Sequence, residues 1–312
     1  MKYLVTGGAG FIGTNLCEQL VNNHHQVSVI DNLSVSDVNV SYLKSIGVEI
    51  IEKDIIHFDD IKTHFIEADV VVHLAAMNRA QRSIDDPIQA NEVNVTGTLN
   101  CLEAAKLAGV KRFVNISSSS VYAAQENILL KEDMDLQPLH PYGVGKLTGE
   151  HYARIYKDIY GLDTVTLRFF SVYGPRQLGS IDKAGVVAKF IHLAHQGIPL
   201  EIYGSGDQKR NFSYVSDVVD CVVKASEITS VSGEIINIAN PEEISVNSLL
   251  KVVEKVVGRE LTCKNLPALA GDPFSNPANT KKCVKLLGIE PTMTFEKGIQ
   301  MTYDWYLKNH KL

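Results

Sequence analysis

The alternation of short apolar runs with helix-like stretches in the first half most constrains the fold of this 312-residue chain. Val27–Ile30 and Val70–Val72 are rich in β-branched residues, which is typical of strands buried on both faces. We predict strands at Tyr3–Thr6, Gln26–Ile30, Val48–Glu52, Val70–Leu74, Phe113–Ser117 and Thr164–Phe169. We predict helices between them at Phe11–Asn22, Val40–Ser45, Pro87–Leu107 and Tyr142–Tyr160. This pattern predicts an α/β fold with a doubly wound parallel sheet and right-handed crossovers.

The second half of the chain is organised differently. Loops rich in glycine and proline follow residue 170, and helical patterns then return. These predicted helices are Val186–Gln196, Val215–Ser226, Ser245–Val257 and Phe295–Leu307. We therefore predict a first domain over residues 1–170, joined by residues 211–240, and a smaller second domain made mainly of residues 171–312.

The composition excludes several classes of protein. A formal charge of −6 argues against nonspecific nucleic-acid binding, which depends on a basic surface. No apolar run approaches about 18 residues, so we expect no membrane span. The N-terminus enters a predicted strand at once, and we expect no signal peptide. The five cysteines are scattered without a C-x-x-C pair, so we expect free thiols in a reducing cytoplasm and no metal site.

A glycine-rich loop follows the first predicted strand and opens the first predicted helix. Its glycines permit a tight turn, close approach of N–H groups to a pyrophosphate and close packing of the helix: Gly7, Gly8, Gly10 and Gly13. The helix N-terminus adds positive partial charge. Asp31 follows the second predicted strand, where a carboxylate accepts hydrogen bonds from ribose hydroxyls and repels a 2′-phosphate. The pattern therefore favours NAD over NADP, although Asp31 also suits a helix cap or turn.

Tyr142 and Lys146 lie four residues apart on a predicted helix, and therefore on one face. A phenol has a reference pKa of about 10 and is a poor base at neutral pH. We expect the Lys146 ammonium and bound NAD+ to lower that pKa to near 7, which requires about 4 kcal/mol. Ser117–Ser120 places hydroxyls at the C-terminal end of the fifth predicted strand, where open α/β sheets bind ligands. A hydroxyl there can share the substrate proton.

Taken together, these motifs resemble the extended short-chain dehydrogenase/reductase family, and in particular its NAD-dependent nucleotide-sugar epimerases and dehydratases. The resemblance extends over nearly the whole chain. It includes the further segments Arg82–Ser83, Asp86–Pro87, Asn94–Thr98, Arg168–Gln177, Ile202–Arg210 and Gly271–Asp272. It implies a Rossmann-type NAD-binding domain, a smaller substrate-binding domain and a cytoplasmic enzyme. It also implies a homodimer that packs the helices Pro87–Leu107 and Tyr142–Tyr160 into a four-helix bundle.

The resemblance also implies roles for individual residues. The implied catalytic residues are Ser118, Tyr142 and Lys146. The implied NAD-binding residues are Gly7, Gly10, Phe11, Ile12, Gly13, Asp31, Asn32, Asp54, Ile55, Leu74, Ala75, Ala76, Asn94, Tyr142, Lys146 and Phe169. The implied substrate-binding residues are Arg82, Ser118, Ser119, Tyr142, Phe170, Ser171, Arg176, Arg210 and Asp272. Among them, Arg210 is expected to pair with the nucleotide diphosphate.

Four positions bear on the choice of reaction. Leu269 replaces a second diphosphate-binding arginine of many relatives, and Asn276 stands where a bulky Tyr excludes N-acetylated sugars from galactose-type epimerases. Ser119 and Ser120 stand where the dehydratases carry Asp and Glu. What the resemblance leaves is reversible oxidation at one sugar carbon, most simply carbon 4.

The implied reaction is that of a nucleotide-sugar 4-epimerase, with a UDP-sugar as substrate. Tyr142, assisted by Ser118, takes the 4-hydroxyl proton, hydride passes to NAD+, the keto sugar rotates, and hydride returns to the opposite face. Glucose/galactose, N-acetylated and uronic-acid forms all remain open. The alternatives are an NAD(P)-dependent nucleotide-sugar reductase or dehydratase, and a non-catalytic NAD-binding regulatory protein.

Overall fold

A computed structural model describes residues 1–122, 128–179, 184–268, 274–275 and 277–309. The strands in these residues are β1 (Lys2–Thr6), β2 (Gln26–Asp31), β3 (Glu49–Glu52), β4 (Val70–His73), β5 (Arg112–Ser118), β6 (Thr164–Phe169), β7 (Val172–Tyr173), β8 (Leu200–Tyr203), β9 (Lys209–Arg210), β10 (Ser213–Tyr214), β11 (Ile235–Ile238), β12 (Ile244–Ser245) and β13 (Cys263–Leu266). The helices are α1 (Phe11–Asn22), α2 (Val40–Ser45), α3 (Phe58–Ile61), α4 (Ala80–Asp85), α5 (Pro87–Asn91), α6 (Thr98–Ala108), α7 (Pro141–Tyr160), α8 (Val186–Gln196), α9 (Val215–Glu227), α10 (Val246–Val257), α11 (Lys281–Leu287) and α12 (Phe295–Asn309).

Seven parallel strands of the described chain form one sheet in the order β3-β2-β1-β4-β5-β6-β11. Its buried central strands have the β-branched character that predicted them, and every residue of β4 and β6 is buried. The predicted α/β fold with a doubly wound parallel sheet is confirmed. The strand order reverses between β1 and β4, which is the kind of point where open α/β sheets bind ligands.

Two of the differences from the predictions concern the seven-stranded sheet and the helices beside it; the strands β7–β10, β12 and β13 and the helices α3, α4 and α11 were also not predicted. The seventh strand, β11, was not predicted, and it joins the sheet by pairing with β6. The predicted helix Pro87–Leu107 consists of α5, a π-helical segment at Glu92–Gly97, and α6. The π-helical segment brings Asn94 and Gly97 into buried positions beneath the loop that follows β4.

Apolar side chains cover both faces of the sheet. One cluster packs α1, α9 and α11 against it through residues such as Leu16, Leu20, Val218, Val222 and Cys283. A second cluster packs α6 and α7 against the opposite face through residues such as Cys101, Leu102, Ala105 and Tyr156. The sheet is therefore the middle of three layers, as the buried strands require.

A separate core lies in the second half of the chain. It is formed by α8, α10 and α12 with the parallel pair of strands β8 and β13, through residues such as Phe190, Leu200, Leu249 and Ile299. In the described part of the chain, no helix has both the length and the hydropathy needed to cross a membrane.

Candidate active site

The glycine loop brings three backbone segments into contact at the C-terminal ends of β1 and β4. Gly7 has φ +71°, and a Cβ on it would lie 2.7 Å from the backbone N and Cα of Ala75. A Cβ on Gly13 would lie 2.5 Å from the carbonyl oxygen of Gly7. α1 then begins at Phe11 without a side-chain cap, so its first-turn N–H groups are available to an anion. This cradle fits the pyrophosphate of a dinucleotide such as NAD.

Acceptor groups gather at the ends of β2 and β3. Asp31 Oδ2 accepts from the Ala9 N–H at 3.0 Å, and Asp31 Oδ1 accepts from the Leu33 N–H at 2.9 Å. Burial raises the pKa of Asp31, and these two hydrogen bonds oppose that shift. The Asn32 amide donates to Asp54 at 2.7 Å. The carboxylates at the ends of β2 and β3 can accept hydrogen bonds from the hydroxyls of a ribose, whereas they would repel a 2′-phosphate.

Ile55 and Asn94, two of the residues predicted to contact the cofactor, are held in place by hydrogen bonds to neighbouring residues. Ile55 is buried, and its carbonyl accepts from the Asn100 amide at 2.9 Å. Asn94 is buried, and its amide both accepts from the N–H of Met77 at 2.9 Å and donates to the carbonyl of Met77 at 3.1 Å. Asn94 therefore holds the loop that follows Leu74–Ala76, and its contact with NAD stays a prediction.

His73, at the end of β4, is a structural residue. Its ring joins Thr6 Oγ1 at 2.8 Å and Thr98 Oγ1 at 2.9 Å. The Thr98 hydroxyl donates to the Asn94 carbonyl, so His73 Nε2–H donates to Thr98. Burial lowers the pKa of His73 to about 3, so the ring is neutral. It ties β1, β4 and α6 together below the cofactor loop.

The start of α7 fixes the position of Tyr142. His140 is the N-cap, and its Nδ1 accepts from the Gly143 N–H at 3.1 Å. Pro141 occupies the first helical position, where its missing N–H costs nothing. Tyr142 therefore lies in the first turn, and its ring stacks on that of His140 with 6.0 Å between centroids.

Glycines let α7 approach its neighbours closely. A Cβ on Gly143 would lie 2.7 Å from the Ser120 carbonyl oxygen, and a Cβ on Gly145 would lie 2.7 Å from Cβ of Asn94. Larger side chains at these positions would push the helix away from the serine run and the π-helical segment. The glycines thus place the first two turns of α7 against the C-terminal end of β5.

The three predicted catalytic residues meet at this end of β5. Ser118 lies beside Tyr142, and its Oγ donates to the Ser120 Oγ at 3.2 Å and accepts from the Ser120 N–H at 3.2 Å. Lys146 Nζ donates to the Ile116 carbonyl at 2.8 Å and lies 6.0 Å from the centroid of the Tyr142 ring. A hydroxyl, a phenol and an amine thus face one point at the ligand-binding edge of the sheet.

Burial and neighbouring groups act in opposite directions on the pKa values of Tyr142 and Lys146. Burial raises the pKa of Tyr142, while the neighbouring Ser118 hydroxyl and the positive charge of Arg79 oppose the rise. In the protein without a bound cofactor, desolvation of the phenolate therefore outweighs the nearby charge. The lowering of the phenol pKa by Lys146 together with bound NAD+ stays a prediction. Burial lowers the pKa of Lys146 to about 8, and the Glu150 carboxylate opposes that shift.

A buried ionic network lies beneath Lys146. Glu150 accepts two hydrogen bonds from Arg168, at 2.8 and 2.7 Å, and a third from Ser117. Arg168 also donates to the Tyr122 hydroxyl at 2.6 Å, which donates to Asn237 at 2.8 Å. The network connects α7 with β5, β6 and β11 and fixes the base of the site.

Several predicted substrate residues lie near the same edge. Ser119 begins a 3₁₀ turn directly after Ser118. Phe169 ends β6, Phe170 follows it, and both are buried. Ser171 is exposed, with φ +33°, and its carbonyl accepts from the Ser213 N–H at 3.2 Å.

The predicted arginines are dispersed. Arg82 lies on α4, and Arg210 lies on β9, where it donates to its neighbour's carbonyl at 2.6 Å. Arg176 does not face α7: it pairs with Glu18 at 3.3 Å and stacks over the Tyr42 ring at 3.8 Å, beside α1. The remaining predicted positions, Leu269, Asp272 and Asn276, lie outside the described residues.

Two residues of the site were not predicted from the sequence. His140 caps α7 and stacks on Tyr142, and the His-Pro-Tyr sequence at a helix start is a signal that points to such a cap. Arg79 places a positive charge beside Tyr142. Nothing in the local sequence singles out Arg79 from the other arginines.

Comparisons with known proteins agree with this geometry. The model of the NAD dependent epimerase/dehydratase family matches residues 3–239. UDP-glucose 4-epimerase of Thermotoga maritima, solved with UDP-glucose, is 32% identical, with a TM-score of 0.94 and 99% of each chain covered. UDP-N-acetylglucosamine 4-epimerase of Methanobrevibacter ruminantium, solved with UDP-N-acetylmuramic acid, is 30% identical, with a TM-score of 0.93 and 99% of each chain covered.

A third similar structure contains the cofactor. UDP-glucuronic acid 4-epimerase of Bacillus cereus, solved with UDP-glucuronic acid and NAD, is 33% identical, with a TM-score of 0.92. The alignment covers 99% of this chain and all of that one. With the glycine cradle, the serine, tyrosine and lysine of the site, and a family match over most of its length, this chain belongs to the NAD-dependent epimerase/dehydratase family.

Proposed function

We propose that this protein is an NAD-dependent nucleotide-sugar 4-epimerase that acts on a UDP-sugar. The observation that carries the proposal is the convergence of Ser118, Tyr142 and Lys146 at the end of β5, beside the glycine cradle. Three similar structures are of 4-epimerases for different UDP-sugars, which supports the reaction and leaves the sugar to be identified.

The residues of the cradle are suited to hold the cofactor. The first-turn N–H groups of α1 would bind the pyrophosphate, and Asp31 would accept from the ribose hydroxyls. When bound, the cofactor would supply the hydride acceptor for oxidation of the sugar as NAD+ and the hydride donor for its reduction as NADH.

Proton transfer falls to the residues of this chain. Tyr142 takes the proton of the 4-hydroxyl as the sugar is oxidised. It returns the proton when the keto sugar has rotated and is reduced on its opposite face. The neighbouring Ser118 hydroxyl stabilises the phenolate and shares the proton. Lys146, held by the Ile116 carbonyl, and Arg79 contribute positive charge that favours the phenolate.

The same site disfavours dehydration. A 4,6-dehydratase needs an acid and a base for carbons 5 and 6, and the serine hydroxyls of Ser119 and Ser120 do not ionise near neutral pH. Reversible oxidation at carbon 4 needs neither group.

We also propose a domain organisation and an oligomeric state. Residues 1–170 with 211–240 would bind NAD, and residues 171–312 would mainly bind the sugar nucleotide through Arg210 and its surroundings. The protein would form a homodimer through α5–α7, which expose apolar side chains including Ile88, Val144 and Ile159. Its five cysteines are unpaired, which suits the cytoplasm.

The test is a substrate panel. The purified protein, with NAD, is incubated with UDP-, GDP- and dTDP-sugars, and the products are resolved by NMR. We expect interconversion of the carbon 4 epimers of at least one UDP-sugar. Loss of water to a 4-keto-6-deoxy sugar, net reduction with consumption of NAD(P)H, or no exchange at all would contradict the proposal.

A further inference from the structure

Arg79 is placed unusually for an arginine. It lies between the end of β4 and the start of α4, with φ +81°, in the left-handed region that non-glycine residues rarely adopt. Strained backbone of this kind clusters at functional sites. α4 packs against α7, so Arg79 lies beside the first turn, where Tyr142 is located.

The guanidinium of Arg79 has well-defined surroundings. Its Nη2 and Nη1 atoms lie 3.1 and 3.4 Å from the point that a Cβ on Gly185 would occupy. Gln177 Nε2 lies 3.2 Å from the same point and donates to the Val172 carbonyl. The Gln177 amide oxygen is buried and has no hydrogen-bond partner among the described residues. Two polar side chains with unused hydrogen-bonding capacity therefore lie side by side.

Within the described ranges, no carboxylate pairs with Arg79. The charged groups that act on it are Tyr142 and a second guanidinium, Arg82, which repels it. A partly buried arginine without a counter-ion is costly in a protein unless a ligand supplies the negative charge. The chain as a whole is acidic, so the local excess of positive charge is not a general property of its surface.

We propose that Arg79 binds a carboxylate in a substituent on carbon 3 or carbon 5 of the reacting sugar, the two carbons next to carbon 4. This inference rests on the proposed function, because Tyr142 must face the 4-hydroxyl. A group beside Tyr142 then meets the substituents of carbons 3 and 5, whereas the diphosphate on carbon 1 lies across the ring. The planar guanidinium matches a carboxylate with two parallel hydrogen bonds. A carbon 5 carboxylate is that of a uronic acid, and a carbon 3 carboxylate is that of a lactyl ether.

Arg79 also acts on the catalytic phenol, and the experiment must separate the two effects. Its positive charge lowers the pKa of Tyr142, so removing it slows the reaction of every substrate. That loss is common to neutral and acidic sugars. It cancels in the ratio of their kcat/KM values, whereas a lost carboxylate contact does not.

The test compares Arg79→Gln and Arg79→Lys with the wild type. A matched control, Arg154→Gln, removes an exposed arginine. For each protein, kcat/KM is measured with UDP-glucuronate, UDP-N-acetylmuramate and UDP-glucose. We expect the ratio of the preferred acidic sugar to UDP-glucose to fall about 10- to 100-fold in Arg79→Gln, the loss typical of a charge-assisted hydrogen bond. Arg79→Lys should lose less, and Arg154→Gln should stay within about twofold, as surface changes do.

Calorimetric binding to the NAD-loaded protein gives a readout that does not depend on turnover. We expect tighter binding of the acidic sugar than of UDP-glucose, and loss of this preference in Arg79→Gln. The acidic sugar whose binding preference is lost in Arg79→Gln shows whether the carboxylate that Arg79 binds is attached at carbon 5 or at carbon 3. Unchanged ratios, or a wild type that converts neutral sugars and binds neither acidic one, would overturn the inference and leave the proposed function intact. No exchange of any nucleotide sugar would contradict the proposed function, and the binding preference would still decide the role of Arg79.

Discussion

Lys146 is an ionisable side chain in a buried position, where a positive charge is costly. It is only 7% exposed, it donates to the Ile116 carbonyl, and burial lowers its pKa to about 8. The free energy that corresponds to this change from the ordinary lysine pKa of 10.5 is about 3 kcal/mol. Such a residue destabilises the folded protein in return for a positive charge beside Tyr142, which is the trade-off expected at an active site.

This conflict predicts how stability depends on pH. Near neutral pH, Lys146 is charged in both the folded and the unfolded state, so the full cost of burial is present. As pH rises through about 8, the folded protein loses the proton first, and the cost falls until the unfolded lysine also titrates near 10.5. We expect Lys146→Met to be more stable than the wild type by about 1–3 kcal/mol at neutral pH, and the difference to shrink as the pH rises toward 10.

Urea unfolding of the ligand-free protein at a series of pH values measures this difference. Lys285→Met, which changes an exposed lysine on α11, is the control and should show no comparable pH dependence. A Lys146→Met protein that is less stable than the wild type at neutral pH, or a difference that does not change with pH, would contradict the account.

Among single residues, those that are placed by local spacing could be predicted from the sequence. Tyr142 and Lys146 are one helical turn apart, and Ser118 ends a strand, so each was predicted in place. Arg79 and His140 were missed because their contacts with Tyr142 arise from the packing of α4 and from a helix cap. The burial that raises the pKa of Tyr142 was not predicted either, since burial cannot be read from spacing.

Among the elements, α7 depends on its glycines for its position. Gly145 and Gly149 lie one turn apart in the helix, yet their surroundings differ. A Cβ at Gly145 would lie 2.7 Å from Cβ of Asn94, whereas a Cβ at Gly149 would lie 3.4 Å from Cγ2 of Thr98. The first approach is too close for any side chain, and the second is an ordinary contact.

The two glycines therefore form a matched pair of variants. We expect Gly145→Ala to destabilise the protein by about 1–3 kcal/mol through overpacking and to reduce turnover, because α7 must move away from β5. Gly149→Ala should be neutral or stabilising by up to about 1 kcal/mol, because alanine favours a helix. Thermal unfolding and epimerisation rates measure both effects. Equal stabilities for the two variants would show that α7 is not held as closely as the structure indicates.

Element predictions succeeded where the hydrophobic pattern was long. The helix Val186–Gln196 and the strand Thr164–Phe169 were predicted with the observed bounds. The four-residue β11 was missed because a short apolar run is recognisable as a strand only through its pairing with β6. The π-helical segment was missed because apolar periodicity does not register one extra residue in a turn.

For the whole molecule, the exposed apolar face of α5–α7 predicts self-association. Ile159 on α7 is 70% exposed, and Ile88 on α5 and Val144 on α7 are also exposed; such a group of exposed apolar side chains is typical of an interaction surface. We expect the wild type to have twice the chain mass of 34.4 kDa by light scattering, and Ile159→Lys to have the chain mass. Ile198→Lys, at an isoleucine that is 46% exposed after α8 and away from these helices, should remain dimeric. A wild-type monomer would contradict the prediction.

Tyr142 is the residue on which the proposed reaction depends most. The glycine cradle, the serine run, α7 and the buried network all lie around it. The most direct test is Tyr142→Phe, which removes the proton acceptor and leaves the ring. We predict that this variant folds, retains NAD through gel filtration as the wild type does, and epimerises its sugar at least about 100-fold more slowly, as expected for a lost general acid–base. Epimerisation at a rate near that of the wild type would contradict the account.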